Sequence, residues 1–189
     1  MVLPMTKLEN DVNTDHHQRR VADVAGAIAE EMGLEETQVC AIRMAALIHD
    51  IGKIWLRAEV LSKPTRLTEI EFGIVRAHAE AGYNVCRAIR FPSSIAQMVL
   101  QHHERMDGSG YPRGLLGEHI ALGARILAVA DVVEAMASKR PYRPARSVDE
   151  ALGEIAQNRS TLYDPEVVDA CLKLFDESCR LTSVLQDGR

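Results

Sequence analysis

"HHQRRVADVAGAIAEEMGL", His16–Leu34, decides how the rest of the chain is read. His17, Val21, Val24, Ala25, Ile28 and Met32 recur at the three- and four-residue spacing of one helix face. Gly33 is placed to stop that helix. His17 continues the apolar stripe, so the spacing points its imidazole inward. His16 is turned away from that face.

The same period runs through the chain. A second helix is expected over Glu35–Ile51, ending in "LIHDIGK". Pro64 lies in a loop before a third helix over Glu69–His78, with Thr68 as its cap and Glu71 completing a capping box. Gly82 is expected to interrupt, with a further helix to Arg90. Pro92 opens the helix that carries His102 and His103, and Asp107–Gly117 is a glycine-rich loop. "ALGARILAVADVVEAMASK", Ala121–Lys139, is a strongly apolar helix, followed by the basic turn "RPYRPARS". Ser147 caps one more helix, Pro165 begins the last, and residues after Phe175 read as a frayed tail. No strand pattern competes. The expected fold class is all-α: a single domain over 1–189, with its core at about 14–176 and a tail at 177–189.

Composition agrees. The 189 residues suffice for a substantial core, and aromatics at 4% leave Ala, Leu, Ile and Val to fill it. A net charge of -5 argues against a binder of long nucleic acid, though not against a small phosphorylated ligand in a local basic pocket. No apolar run approaches a membrane span and the N-terminus lacks a signal-peptide pattern, so a cytoplasmic location is expected. Cys40, Cys86, Cys171 and Cys179 form no CxxC pair and read as reduced thiols.

Chemistry concentrates in imidazoles and two aspartates. His49 is followed by Asp50, His78 has Gly82 four residues on, and "HHERMDGSGYPRGL", His102–Leu115, opens with adjacent histidines. Asp131 lies in "ILAVADVVEAMA", where a buried carboxylate without a cation is costly. His17, His49, His78, His102, His103, Asp50 and Asp131 together suit two metals sharing a bridge, with Asp50 as the bridging group. Each residue also has a plainer reading. The histidines can be hydrogen-bonded core residues, Asp131 can pair with Arg125, and Lys53 can be a solvated lysine. His16 and His119 are placed in that plainer class.

"HDIGK", "HAEAG", "HHERMDGSGYPRG" and "ILAVAD", in this order, resemble the HD-GYP family, a branch of the HD-domain metal phosphohydrolases. The likeness runs from about His17 to about Phe175 and spells the GYP loop in full as Gly110, Tyr111 and Pro112. It implies an HD-domain helical bundle with a metal centre in its core. It also implies hydrolysis of cyclic di-GMP to pGpG, and on to GMP, by a metal-bridged hydroxide. Iron or manganese is the metal the resemblance implies. His17, His49, Asp50 and Asp131 would surround one ion, and His78, His102 and His103 the second, with Asp50 between them. Lys53 matches the family's catalytic lysine, and Arg140 and Arg143 its phosphate-holding positions. Asn13 stands where some members carry a glutamate that supports a third metal, so two divalent transition metal ions are expected.

His102 and His103 point about 100° apart on a regular helix. Both reach one ion only if the helix end distorts. Asp107 is expected to support a ligand histidine, and Tyr111 to line the substrate pocket, with a rigid connector as the other reading of the loop. The resemblance also leads to the expectation that the loop docks diguanylate cyclases or adaptor proteins. The family usually carries a sensory or receiver domain ahead of this one, and the chain reads as a stand-alone enzyme or an excised domain. The competing functions are a catalytically silent cyclic-dinucleotide receptor and an HD phosphohydrolase with another nucleotide substrate, such as guanosine tetraphosphate.

Overall fold

The computed structural model describes residues 13–56, 60, 63, 65, 67–138 and 147–177, with side chains from His16 to Asp176. Its helices are α1 Asn13–Glu31, α2 Glu36–Ile48, α3 Glu69–Arg76, α4 His78–Ala88, α5 Ser93–Gln101, α6 Leu122–Ala137, α7 Val148–Gln157 and α8 Pro165–Glu177. Short 3-10 turns occupy Ile51–Trp55 and Gly117–His119. Among the described residues there is no strand, only the isolated bridges Asp107–Leu116 and Arg159–Tyr163.

The helix that was read first closes as its sequence requires. Gly33, at φ 72°, ends α1: its N–H donates to Glu30 O, and the Leu34 N–H donates to Ala29 O. This pair of bonds satisfies carbonyls left open by the last turn. Val21, Val24, Ala25 and Ile28 are fully buried along the inward face. Helix α6 is apolar around most of its girth and lies at the centre, touching α1, α2, α5, α7 and α8. A helix without a polar face must be surrounded, and this one is. The capping boxes at Thr68–Glu71 and Ser147–Glu150 are both formed.

One boundary differs from the sequence reading. The break between α3 and α4 falls at Ala77, and Gly82 sits inside α4. The reason is a close approach. A Cβ added to Gly52 would fall within 2.5 Å of Gly82 N and closer still to His78 O. The absence of a side chain at Gly52 lets the 3-10 turn after His49–Asp50 lie directly on the first turn of α4, against His78, and the absence of one at Gly82 makes room for Val99 of α5. A smaller departure occurs at α2, which ends at Ile48 and gives way to the 3-10 turn, so His49 and Asp50 sit at a helix end. The basic turn with Arg140 and Arg143, the tail beyond Glu177, and Cys179 lie outside the described residues. Cys86 and Cys171 are buried free thiols, and Cys40 is exposed.

Gly52→Ala must push the turn away from α4 and should lower stability by about 1–3 kcal/mol. Gly153→Ala, inside α7 with nothing within 4 Å of the added methyl, should raise it by roughly 0.5–1 kcal/mol. Denaturant unfolding of both variants checks the contrast. Equal effects at the two positions would remove the close approach as the explanation.

Candidate metal centre

Three helix ends aim imidazoles at one point. His49 follows the last residue of α2, His78 begins α4 and His102 caps α5. Each uses the same local device. Nδ1 of His49, His78 and His102 meets the carbonyl three residues earlier, at Ala46, Val75 and Val99, over 2.6, 2.6 and 2.7 Å. A carbonyl only accepts, so each Nδ1 carries the proton. In the neutral ring the free lone pair then belongs to Nε2, which faces the interior.

Nε2 of His78 and Nε2 of His102 stand 3.3 Å apart. Burial keeps both rings below the usual imidazole pKa, His102 well below it. Two neutral rings with protonated Nδ1 atoms have no proton between those nitrogens. The lone pairs repel unless a cation lies between or beside them. His103 completes the group: α5 ends at Gln101, and beyond that end the two adjacent rings come within 4.0 Å, centroid to centroid. The regular helix would have splayed them.

Asp50 joins two sets of donors. One ligand atom from each of Asp50, His78, His102 and His103 lies within 4.8 Å of the others, and the same holds for His17, His49 and Asp50. Asp50 is 6% exposed. Its Oδ2 accepts from Lys53 Nζ at 2.5 Å, whereas Oδ1 is buried with no hydrogen-bond partner and lies 3.5 Å from His78 Nε2. Burial opposes ionisation of Asp50, but Lys53 and His49 prevail and hold its carboxyl well below the usual range. A buried ionised oxygen without a partner, among imidazole lone pairs, fits a divalent cation. Asp131 lies beside the second set, its Oδ1 3.4 Å from His17 Nε2.

His17 has a carboxylate on each side. Its Nδ1 is bonded to Glu134 Oε2, and Glu134 also accepts from Arg20 and from the Ser138 hydroxyl. Burial works against charge on His17, but Asp131 and Glu134 raise its pKa to about 9. Glu134 is fully buried one turn after Asp131 on the apolar face of α6. The reasoning that singled out Asp131 as a buried carboxylate applies equally to Glu134, which the sequence reading passed over. Glu104 was missed as well. It is 2% exposed and accepts the backbone N–H groups of Arg113 and Leu115 at 2.7 and 2.9 Å, tying down the far side of the GYP loop. Gly110 lets that loop fold onto the histidines: an added Cβ would come within 2.5 Å of Glu104 Cα and His103 O. Tyr111 then lies over His103, with ring centroids 4.7 Å apart.

Asp107 does not reach a histidine. It is exposed and accepts from Ser109 N and Oγ at 2.9 and 2.6 Å. Those bonds close a local turn, and the orienting role expected of it falls instead to backbone carbonyls and Glu134. Arg125 is not the partner of Asp131; it binds Asp164 and the Ile120 carbonyl. His16 and His119 are exposed.

Residues 4–167 match the family model described as HD domain. The chain belongs to the HD domain family. This HD domain is 47% identical over 165 residues to the cyclic di-GMP phosphodiesterase response regulator RpfG of Xanthomonas campestris, covering 86% of the chain and 44% of that relative. It is 44% identical over 178 residues to a cyclic di-GMP phosphodiesterase of Thermotoga maritima, covering 93% of the chain and 48% of that relative. The chain therefore spans about half the length of these curated relatives. Among solved structures, a cyclic GMP-AMP-specific phosphodiesterase of V. cholerae superposes with a TM-score of 0.70 at 21% identity, over 92% of the chain and 46% of that structure. At that identity the likeness is one of HD-domain fold. No helix among the described residues is long and apolar enough to cross a membrane.

Glu134→Ala should weaken metal binding about 10- to 100-fold while Glu134→Gln loses less, as expected for a group that orients a ligand histidine. Equilibrium dialysis against a chelator-buffered metal measures both. The elevated His17 pKa has a further consequence. Pairing of the protonated ring stabilises the metal-free fold fully below pH 6.5 and is lost as pH rises through about 9. Metal must displace that proton, so affinity should climb from pH 7 to 9, with proton release detectable in weakly buffered solution.

Proposed function

We propose that this HD domain is a metal-dependent phosphodiesterase of the HD-GYP branch, hydrolysing cyclic di-GMP to linear pGpG. The observation that carries this reading is Asp50: one buried carboxylate shared by two sets of ligand atoms, with one oxygen unpartnered. Two divalent transition metals, iron or manganese by family resemblance, would be held by His17, His49, Asp50 and Asp131 on one side and Asp50, His78, His102 and His103 on the other. When bound, such a pair supplies an acidified water and stabilises charge on phosphoryl oxygens.

The chain's own groups do the remaining work. Lys53 sits one 3-10 turn beyond Asp50, and its ammonium is fixed at the rim of the ligand cluster by the bond to Asp50 Oδ2. There it offsets negative charge developing on a non-bridging phosphate oxygen. The Nδ1–carbonyl bonds keep the imidazoles in one tautomer, so no ring must reorient during turnover. Tyr111, whose phenol burial pushes above its ordinary pKa, stays protonated and forms a wall of the substrate pocket. Arg140 and Arg143, outside the described residues, would grip a phosphate through forked hydrogen bonds. The described helices serve as one catalytic domain.

Asp50→Ala should lose both metals and all turnover, whereas Lys53→Ala should keep its metal and slow hydrolysis at least tenfold. Metal content and cyclic di-GMP turnover on the same samples test this pair. An Asp50→Ala protein that retains metal and wild-type activity sinks the bridging assignment. Full metal occupancy in the wild-type protein without turnover of any cyclic dinucleotide points to the receptor.

A further inference from the structure

Arg76 ends α3 with an exposed side chain and performs none of the work described so far. Its guanidinium lies 4.1 Å from the centroid of the Phe72 ring and 5.3 Å from that of Tyr111. Phe72 and Tyr111 are themselves edge to face, with centroids 6.2 Å apart. Among the described residues no carboxylate lies within ion-pair distance of Arg76. A guanidinium lodged beside aromatic rings spends none of its N–H groups on a carboxylate and keeps them free to donate.

The position of that edge selects its ligand. Tyr111 lies directly over His103, and its ring is 6.4 Å from that of His78. Arg76 therefore stands one aromatic ring away from the cluster that would hold the scissile phosphate. In a nucleotide the base is displaced from its phosphate by the ribose, a comparable offset. A planar base leaving the phosphate in this direction can lay its face against one of these two near-perpendicular rings and meet Arg76 with its edge. Guanine presents two acceptors, O6 and N7, at the spacing of a guanidinium fork; adenine places an amino donor where O6 would be.

We propose that Arg76, fixed by Phe72 and Tyr111, reads the guanine base next to the scissile phosphate and sets the preference of this site for guanine-containing cyclic dinucleotides. The inference rests on the phosphodiesterase reading and deepens it. Arg76 is thus a specificity residue. It is exposed and outside the core, so its loss should leave folding and metal content unchanged.

The test uses the metal-loaded protein and its Arg76→Ala and Arg76→Lys variants. Binding and hydrolysis of cyclic di-GMP, 3′3′-cyclic GMP-AMP and cyclic di-AMP are measured for each. Arg76→Ala should raise KM and Kd for cyclic di-GMP roughly ten- to a hundredfold, leave cyclic di-AMP within about twofold, and change kcat little. Arg76→Lys should lose most of the same preference, because an ammonium cannot make the forked contact. Equal weakening toward all three ligands would place Arg76 on a phosphate and overturn base reading. An unchanged preference, a Lys variant that retains it, or a wild-type protein indifferent to the base would overturn it too. If the wild-type protein hydrolyses nothing, the phosphodiesterase reading fails by itself, and the binding preference still decides whether Arg76 reads guanine.

Discussion

A carboxylate ionised in the dry interior needs compensation, and Asp50 makes this demand at the centre of the molecule. Removing such a charge from water costs far more than a helix cap or a hydrophobic contact returns. Lys53 satisfies one oxygen and leaves the other to the surrounding imidazoles. Much of the neighbouring architecture follows from this need. The 3-10 turn lies on α4 because Gly52 has no side chain, and that contact brings Asp50 within reach of His78. A bulkier residue at Gly52 would push the turn that carries Asp50 away from His78.

The rings around Asp50 are set by backbone before they can meet anything else. His49, His78 and His102 each spend Nδ1 on the carbonyl three residues back, a bond favoured at a helix end, where the last carbonyls lack intrahelical partners. Placing these histidines at helix ends therefore fixes tautomer and aim together. His17 differs because it lies inside α1, and its Nδ1 goes to a side chain, Glu134, from the central helix. The centre thus combines two kinds of support. Local bonds orient three histidines, and a long-range ion pair orients the fourth across α1 and α6.

The GYP loop extends the same order outward. Glu104 draws the loop's amides back toward the cluster, Gly110 permits the close fold, and Tyr111 covers His103. Phe72 and Arg76 then continue a wall of rings and positive charge from the buried donors toward solvent. The expectation that Asp107 would orient a histidine fails for a local reason: an aspartate two residues before a serine closes its own turn at less entropic cost than it reaches a distant ring.

Helix positions were legible from the sequence because they rest on local rules. Apolar residues at three- and four-residue spacing, Thr68 and Ser147 as caps, Gly33 as a stop and Pro165 as a start each act within a turn or two. The sequence also singled out His17, His49, Asp50, His78, His102 and His103, whose donor atoms the structure brings together in two groups that share Asp50. Which atoms face one another was not legible. The pairing of Glu134 with His17 spans 117 positions, and the Arg76–Phe72–Tyr111 wall joins a helix end to a loop far along the chain. Gly82 looked like a break, and only the packing of α4 on α5 and on the 3-10 turn shows it to be a contact point. Composition and period by themselves determined an all-helical protein rich in potential ligands. Tertiary structure decided that Asp50 stands between two sets of them, because proximity in space depends on how helices cross, and no local pattern encodes that.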